Sequence, residues 1–158
     1  MLTLSDKGYI GEREDKSGPL VCDLLPKEEY CVEKQMLLPD EQTLIETELV
    51  RLCDIEQMDL ILTTGGTGFA RRDCTPEATL NVATKNALGI ADAMRYASLQ
   101  ITPKAMLSRG VSVIRNETLI INLPGSPKAV RENLLFLLPA LGHGLGILKG
   151  TDGECGTC

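Results

Sequence analysis

Residues 59–77 carry the densest chemistry in the chain: Asp-Leu-Ile-Leu-Thr-Thr-Gly-Gly-Thr-Gly-Phe-Ala-Arg-Arg-Asp-Cys-Thr-Pro-Glu. The apolar run from Leu60 to Thr64 reads as a buried strand, and Gly65-Gly66-Thr67-Gly68 as a flexible turn after it. Glycines let a backbone approach a ligand closely, and free N–H groups at such a turn or at a helix N-terminus attract anions. Arg71 and Arg72 precede Asp73, which adds a metal ligand or an acid–base group, and Thr75-Pro76-Glu77 opens a helix. Together these residue types predict a phosphorylated substrate handled with Mg²⁺.

The elements that must position this loop follow from periodicity and punctuation. Leu2 to Ser5 is a short strand, and the polar, glycine-containing segment from Asp6 to Gly18 is a long loop. Ser17-Gly18-Pro19 starts a helix through Leu25, because Ser caps a helix and Pro suits its first turn. Tyr30 to Leu38 reads as a second strand, stopped by Pro39-Asp40. The next helix places Ile45, Leu49, Leu52 and Cys53 on one face. A helix is expected from Thr75 to about Asn86, another from Ile90 to about Gln100, and a short turn or helix over Pro103 to Leu107. Val111–Ile114 and Thr118–Leu123 form a hairpin around Arg115-Asn116-Glu117. A helix carrying Val130, Leu134, Leu137 and Leu138 follows, with a break at Pro139 and a last helix to about Leu148 that Gly142-His143-Gly144 loosens. Strands alternating with helices predict an α/β three-layer sandwich with a mostly parallel central sheet and a small β-hairpin. Residues 1–150 read as a single domain and 151–158 as a flexible tail.

In open α/β sheets ligands bind beyond the carboxyl ends of the strands. Four polar stretches follow strands here: Ser5-Asp6, Asp40, Gly65 to Asp73, and Pro124-Gly125-Ser126. A parallel sheet would bring them to one edge. Each has a plain structural alternative. Asp40 is also placed to be the N-cap of the following helix, and Thr75-Pro76 to be a cap and first-turn proline. Asp73 is adjacent to Arg71 and Arg72 as ion-pair partners, and Ser126 can cap the helix after it. Neither common phosphate-loop pattern, G-x-x-x-x-G-K-[ST] or G-x-G-x-x-G, is present.

The 158 residues are 43% hydrophobic, enough for one sizeable core. A net charge of −6 and 3% aromatic content argue against a nucleic-acid partner, which calls for a basic or base-stacking surface. No run approaches the roughly 18 apolar residues of a membrane helix, and no signal peptide is evident, so a cytoplasmic location without a membrane partner is expected. Of six cysteines, Cys22, Cys31, Cys53 and Cys74 are scattered like reduced thiols. Cys155 and Cys158 form a C-x-x-C in a polar tail, where too few ligands accompany them for a structural zinc site. The single histidine, His143, speaks against His-based triads.

Several strings in order resemble one family. Thr64 to Phe69 with Arg72-Asp73-Cys74-Thr75-Pro76-Glu77-Ala78 is similar to the signature of the molybdopterin adenylyltransferases, the group with MogA- or MoaB-like domains. The resemblance extends to Ser5-Asp6, Gly11, Asp15, Ser17-Gly18-Pro19, Pro39-Asp40-Glu41, Leu107-Ser108-Arg109 and Asn122 to Pro127, and covers about residues 2 to 148. It implies transfer of AMP from Mg-ATP to the terminal phosphate of molybdopterin, releasing pyrophosphate, within molybdenum cofactor biosynthesis. It also implies a homotrimer, and handover of product to the enzyme that inserts molybdenum. By the same resemblance Asp40 and Asp73 are the catalytic and Mg²⁺-binding carboxylates. Ser5, Asp6, Gly65, Gly66, Thr67, Gly68, Pro124, Gly125 and Ser126 then line the nucleotide and pterin pocket, with Ser108 on the pterin side. A non-catalytic carrier or scaffold of the same fold is the alternative, although a carrier has no need of both aspartates.

Overall fold

Two central strands, β3 (Leu60–Thr64) and β6 (Thr118–Leu123), pair in parallel from Leu60 against Leu119 to Thr64 against Leu123. Successive side chains point to opposite faces, and both faces are apolar: Ile61 and Ile120 join one core, Leu62 and Ile121 the other. A strand apolar on both sides must be covered on both sides. The computed structural model describes residues 1–152 and shows this covering. Around the central pair lie β1 (Leu2–Leu4), β2 (Met36–Leu38), β4 (Lys85–Asn86) and β5 (Ser112–Arg115), in the order β2-β1-β3-β6-β5-β4. The first four are mutually parallel, whereas β5 runs antiparallel to β6 and β4 antiparallel to β5.

The helices are α1 (Asp6–Tyr9), α2 (Ser17–Leu24), α3 (Gln42–Val50), α4 (Thr75–Asn81), α5 (Leu88–Leu99) and α6 (Pro127–Lys149). Val21 of α2, Met94 of α5 and Val130 and Leu134 of α6 pack on one sheet face; Ile45 and Leu49 of α3 and Ala78 of α4 pack on the other. The result is the expected three-layer α/β sandwich with its hairpin, β5–β6, turning through Asn116 at positive φ. Each fully buried Leu or Ile contributes about 1.5–3 kcal/mol, so both cores hold the strand ends in fixed register. Buried Asn122 adds a polar pin: its amide donates to the hydroxyls of Thr63 and Thr79, and its oxygen accepts the Val111 N–H.

Several boundaries differ from the sequence reading, each for a physical reason. The second strand is Met36–Leu38 rather than Tyr30–Leu38, because its partner β1 is itself three residues long. The loop after β1 contains one helical turn, α1, because the Ser5 side chain caps the Gly8 N–H. The helix from Thr75 ends at Asn81, and Lys85-Asn86 instead pairs with β5 as the sheet's edge. The predicted face of Ile45, Leu49, Leu52 and Cys53 is buried, but its last turn, Arg51–Ile55, is π-helical, with Glu56 N–H donating to the Arg51 carbonyl. Pro139 does not break α6, which runs unbroken through Gly142-His143-Gly144 as well. An internal proline costs a helix about 3 kcal/mol. Here Val130, Leu134 and Leu137 before it and Leu141 after it are all anchored in one core. Beyond α6, Thr151 and Asp152 N–H groups cap the Gly146 carbonyl. Cys155 and Cys158 lie outside the described residues.

Candidate active site

The carboxyl ends of β1, β2, β3 and β6 lie side by side, and the segments leaving them enclose a cleft of about 740 Å³. Ser5 and Asp40 contribute from β1 and β2, Gly65, Gly66 and Asp73 from the glycine-rich loop, and Gly125 and Ser126 from the turn after β6. That loop requires glycine at its first two positions. Gly65 and Gly66 have φ of 97° and 62°, and an added Cβ would sit 2.2 Å from the Leu4 carbonyl oxygen and 2.2 Å from Thr75 Oγ1 respectively. The backbone is then tied down by hydroxyls. Thr75 Oγ1 donates to the Gly65 carbonyl (3.0 Å), Thr64 Oγ1 to the Pro124 carbonyl (2.6 Å) and Ser17 Oγ to the Gly125 carbonyl (2.9 Å).

Asp40 is not the N-cap of α3; Glu41 holds that place, without a side-chain capping bond. The Asp40 carboxylate turns toward β1 instead, where Oδ2 accepts the Asp6 N–H (3.0 Å) while Asp6 Oδ1 accepts the Asp40 N–H (3.0 Å). Its other oxygen, Oδ1, is buried and has no hydrogen-bond partner. Burial pushes the Asp40 carboxyl up, and the nearby charges of Asp6 and Asp73 add to the shift. Asp73 pairs with neither arginine: its Oδ2 accepts the Ala70 N–H (3.0 Å) inside the loop. Arg72 reaches Asp6, with Nε on Oδ2 (2.9 Å) and Nη2 on Oδ1 (3.1 Å), and this hydrogen-bonded pair holds the Asp6 carboxyl below its usual range. Asp6 is therefore a brace between Asp40 and the glycine-rich loop.

A second, smaller cavity of about 230 Å³ opens on the other side of the same turn, between α5, α6 and the Pro103–Leu107 helical turn. Met94 and Ala129 give it apolar walls, and Lys104, Ser108, Asn122 and Asn133 give it polar edges. Of the residues singled out from sequence, Ser108 and Pro124 line this cavity rather than the larger one. Thr67 and Gly68 line neither; their carbonyls accept from Arg109, through its backbone N–H (2.9 Å) and Nε (2.6 Å). Arg109 also donates to the Asp73 carbonyl and pairs with Glu77, fastening the far half of the loop. It lies in the Leu107-Ser108-Arg109 string, but nothing in its type or spacing signalled this role. Arg13, Asp15 and Ser17 also line the cleft; Asp15 and Ser17 lie in the strings that carry the resemblance, but by residue type the segment reads as polar loop and helix start. Cys74 follows Asp73, and burial pushes its thiol up, which keeps it protonated and poorly nucleophilic.

Two carboxylates beside a glycine-rich turn suit a hard, oxygen-preferring cation. Among the described residues no group of three or more His, Cys, Asp or Glu is arranged to hold a metal by itself. Mg²⁺ usually takes one or two carboxylates and completes its shell with water and substrate phosphates. An unpartnered buried carboxylate oxygen on Asp40, with Asp73 close enough to raise its pKa, fits that partial donor set.

Residues 1–143 match a family model described as "Probable molybdopterin binding domain". The chain is 43% identical to the molybdopterin adenylyltransferase of Helicobacter pylori strain J99, over 95% of this chain and 86% of that protein. It is 44% identical to the Escherichia coli K12 protein of the same name, over 90% of this chain and 74% of the relative. Its fold is similar to the crystal structure of the molybdopterin biosynthesis enzyme MoaB from Thermus thermophilus, with a TM-score of 0.89, 47% identity and 94% coverage of both chains. The chain belongs to the molybdopterin-binding domain family of molybdenum cofactor biosynthesis.

Proposed function

We propose that this protein is a molybdopterin adenylyltransferase. The observation that carries the reading is the Asp40 carboxylate, held by the Asp6 N–H with one buried oxygen left unpartnered, lining with Asp73 a cleft of about 740 Å³ with room for a nucleotide. A terminal phosphate oxygen of molybdopterin attacks the α-phosphorus of ATP. The new P–O bond joins AMP to the pterin, and the bond to the bridging oxygen breaks, releasing pyrophosphate. The nucleophile belongs to the substrate, so a site without a catalytic Ser, Cys or His is chemically sufficient. Positioning and charge neutralisation dominate such transfers.

Asp40 and Asp73 would hold Mg²⁺, which supplies charge neutralisation between two polyanions. The chain's own contribution is placement. The Asp6 N–H holds the Asp40 carboxylate and Arg72 holds Asp6, the Gly65–Gly66 backbone brings the loop against β1, and the Pro124–Ser126 turn separates the large cleft from the smaller cavity. The smaller cavity, with apolar walls and amide edges, suits the flat pterin ring, while the nucleotide and both reacting phosphates occupy the cleft. We place the working assembly as a homotrimer. Tyr96 and Leu99 of α5, Ile101 after it, Met106 of the Pro103–Leu107 turn and Phe136 of α6 are exposed apolar side chains that such an assembly can bury. Its product would pass to a metal-inserting enzyme. Among the described residues no helix is long and apolar enough to cross a membrane.

The test is to incubate the purified protein with molybdopterin, ATP and Mg²⁺ and follow adenylated pterin by chromatography. Product must appear only when ATP and a divalent cation are both present. Full-rate product in excess chelator would remove the metal from the reading. Tight binding of both substrates without product would make the protein a carrier.

A further inference from the structure

The cleft's cationic wall has no assigned role. After α1 the chain reverses at Gly11, and the Glu12 and Arg13 N–H groups both donate to the Lys7 carbonyl (2.9 and 3.1 Å). This fold-back carries the Arg13 side chain over Ser5, where its Nη2 donates to Ser5 Oγ (2.8 Å). Ser5 is buried at 7% exposure and lines the cleft, as does Arg13. The other charged groups lining the cleft are engaged or acidic. Lys16 pairs with Glu14 (3.7 Å), Asp15 Oδ1 accepts the Ser17 and Gly18 N–H groups, and Asp40 and Asp73 stand on the loop side. Among the described residues, Arg13 makes no ion pair with a carboxylate.

The hydrogen-bond count at Ser5 gives this wall a direction. A hydroxyl has two acceptor positions and one donor. The Gly8 N–H (3.1 Å) and Arg13 Nη2–H fill both acceptor positions, so the Ser5 O–H remains only as a donor. Arg13 is donor-only by nature and keeps the other N–H groups of its fork available. Two donors and a full positive charge therefore face the cleft, where a phosphoryl group can accept from all of them.

We propose that Arg13 and Ser5 form an oxyanion anchor that grips one phosphoryl group of a bound substrate, in the cleft that Asp40 and Asp73 also line. The assignment rests on the adenylyltransferase reading only for which phosphates enter; the chemistry recognised is a phosphate ester or polyphosphate. Charge-assisted hydrogen bonds of this kind are each strong enough that losing the guanidinium should weaken the bound anion by about tenfold or more.

The experiment compares wild type, Arg13→Ala, Arg13→Lys and the distant control Lys85→Ala. ATP binding is measured by calorimetry without molybdopterin, and KM for each substrate under turnover. Weaker ATP binding by about tenfold in Arg13→Ala, with partial recovery in Arg13→Lys, places the anchor on the nucleotide. A raised KM for molybdopterin alone places it on the pterin phosphate. Wild-type affinity for both substrates in Arg13→Ala overturns the proposal, as does an equal loss in Lys85→Ala, which would reduce the effect to bulk charge. A wild-type protein that binds ATP in an Arg13-dependent way but forms no product would leave the anchor standing while sinking adenylyl transfer.

Discussion

Replacing Asp40 by Asn should make the protein more stable and nearly inactive, and the two effects come from the same oxygen. In the wild type, burial and the charges of Asp6 and Asp73 disfavour the ionised Asp40 carboxylate, and Oδ1 has no partner to offset that cost. Asn keeps an acceptor for the Asp6 N–H, and the reciprocal bond to Asp6 uses the backbone N–H, which is unchanged. The lost strength of a charged over a neutral acceptor is about 1 kcal/mol, and a buried amide N–H₂ in place of Oδ1 costs a similar amount. Against this stands the desolvation of an ion, several kcal/mol when buried and about half of that at this half-buried site. We expect a net gain near 1 kcal/mol, or about 2–4 °C in Tm for a chain of this size. The sign can be checked by pH. A folded-state pKa raised above the unfolded value of about 3.9 means that Asp40's favourable contribution is present at low pH and is lost as pH rises through the raised pKa. The Tm advantage of Asp40→Asn should therefore be full above the raised pKa and shrink as pH falls from there toward the unfolded value of about 3.9. Turnover should drop by roughly 10²-fold or more, the scale of losing one key electrostatic group. Scanning calorimetry across that range, paired with the adenylation assay, reads both. A variant that is less stable at the alkaline end, or one that turns over within about tenfold of wild type, would refute the reasoning.

Asp73→Asn should lower turnover by a comparable factor of about 10² while leaving Tm within a few degrees, since Asn can still accept the Ala70 N–H; a rate assay with a melting curve checks it. Gly66→Ala should destabilise the fold by about 2 kcal/mol or more by denaturant titration, because its φ of 62° is strained for Ala and the new Cβ would meet Thr75 Oγ1 at 2.2 Å. Removing residues 153–158 should leave rate, Tm and metal content unchanged, since Thr151 and Asp152, which cap α6, remain. Loss of stoichiometric zinc on that truncation would give Cys155 and Cys158 a structural role.

The elements legible in the sequence were those whose signal is long or doubly determined. The runs at 60–64 and 118–123 are apolar on both faces, and that alone requires a covered parallel centre and puts the loops after them at one edge. The glycine-rich loop was legible because only glycine tolerates its backbone. What escaped depended on partners distant in sequence. Tyr30 to Gln35 has strand-like residues but no strand to pair with, and Pro139 is carried by core contacts that local propensity does not register. At the cleft, the positions of Asp40 and Asp73 after their strands were legible, but their settings were not. Whether Asp40 caps a helix or faces Asp6, and whether Arg72 pairs with Asp73 or Asp6, depends on how β1, β2 and the loop meet. Arg109 and Arg13 act across 41 and 8 residues respectively, onto a carbonyl and a hydroxyl, and no spacing rule announces such contacts.

The turn from Pro124 to Ser126 is a single partition with a cavity on each side, its carbonyls held by Thr64 and Ser17. A shared partition makes the two compartments thermodynamically answerable to each other. If an occupant of the smaller cavity shifts that peptide so that the cleft holds its own guest α times more tightly, the guest in the cleft must strengthen the first occupant by the same factor α. Whatever factor the turn transmits therefore acts equally in both directions. Substitutions at the two hydroxyls that pin the partition, Thr64 and Ser17, act on this mutual factor as well as on either affinity alone.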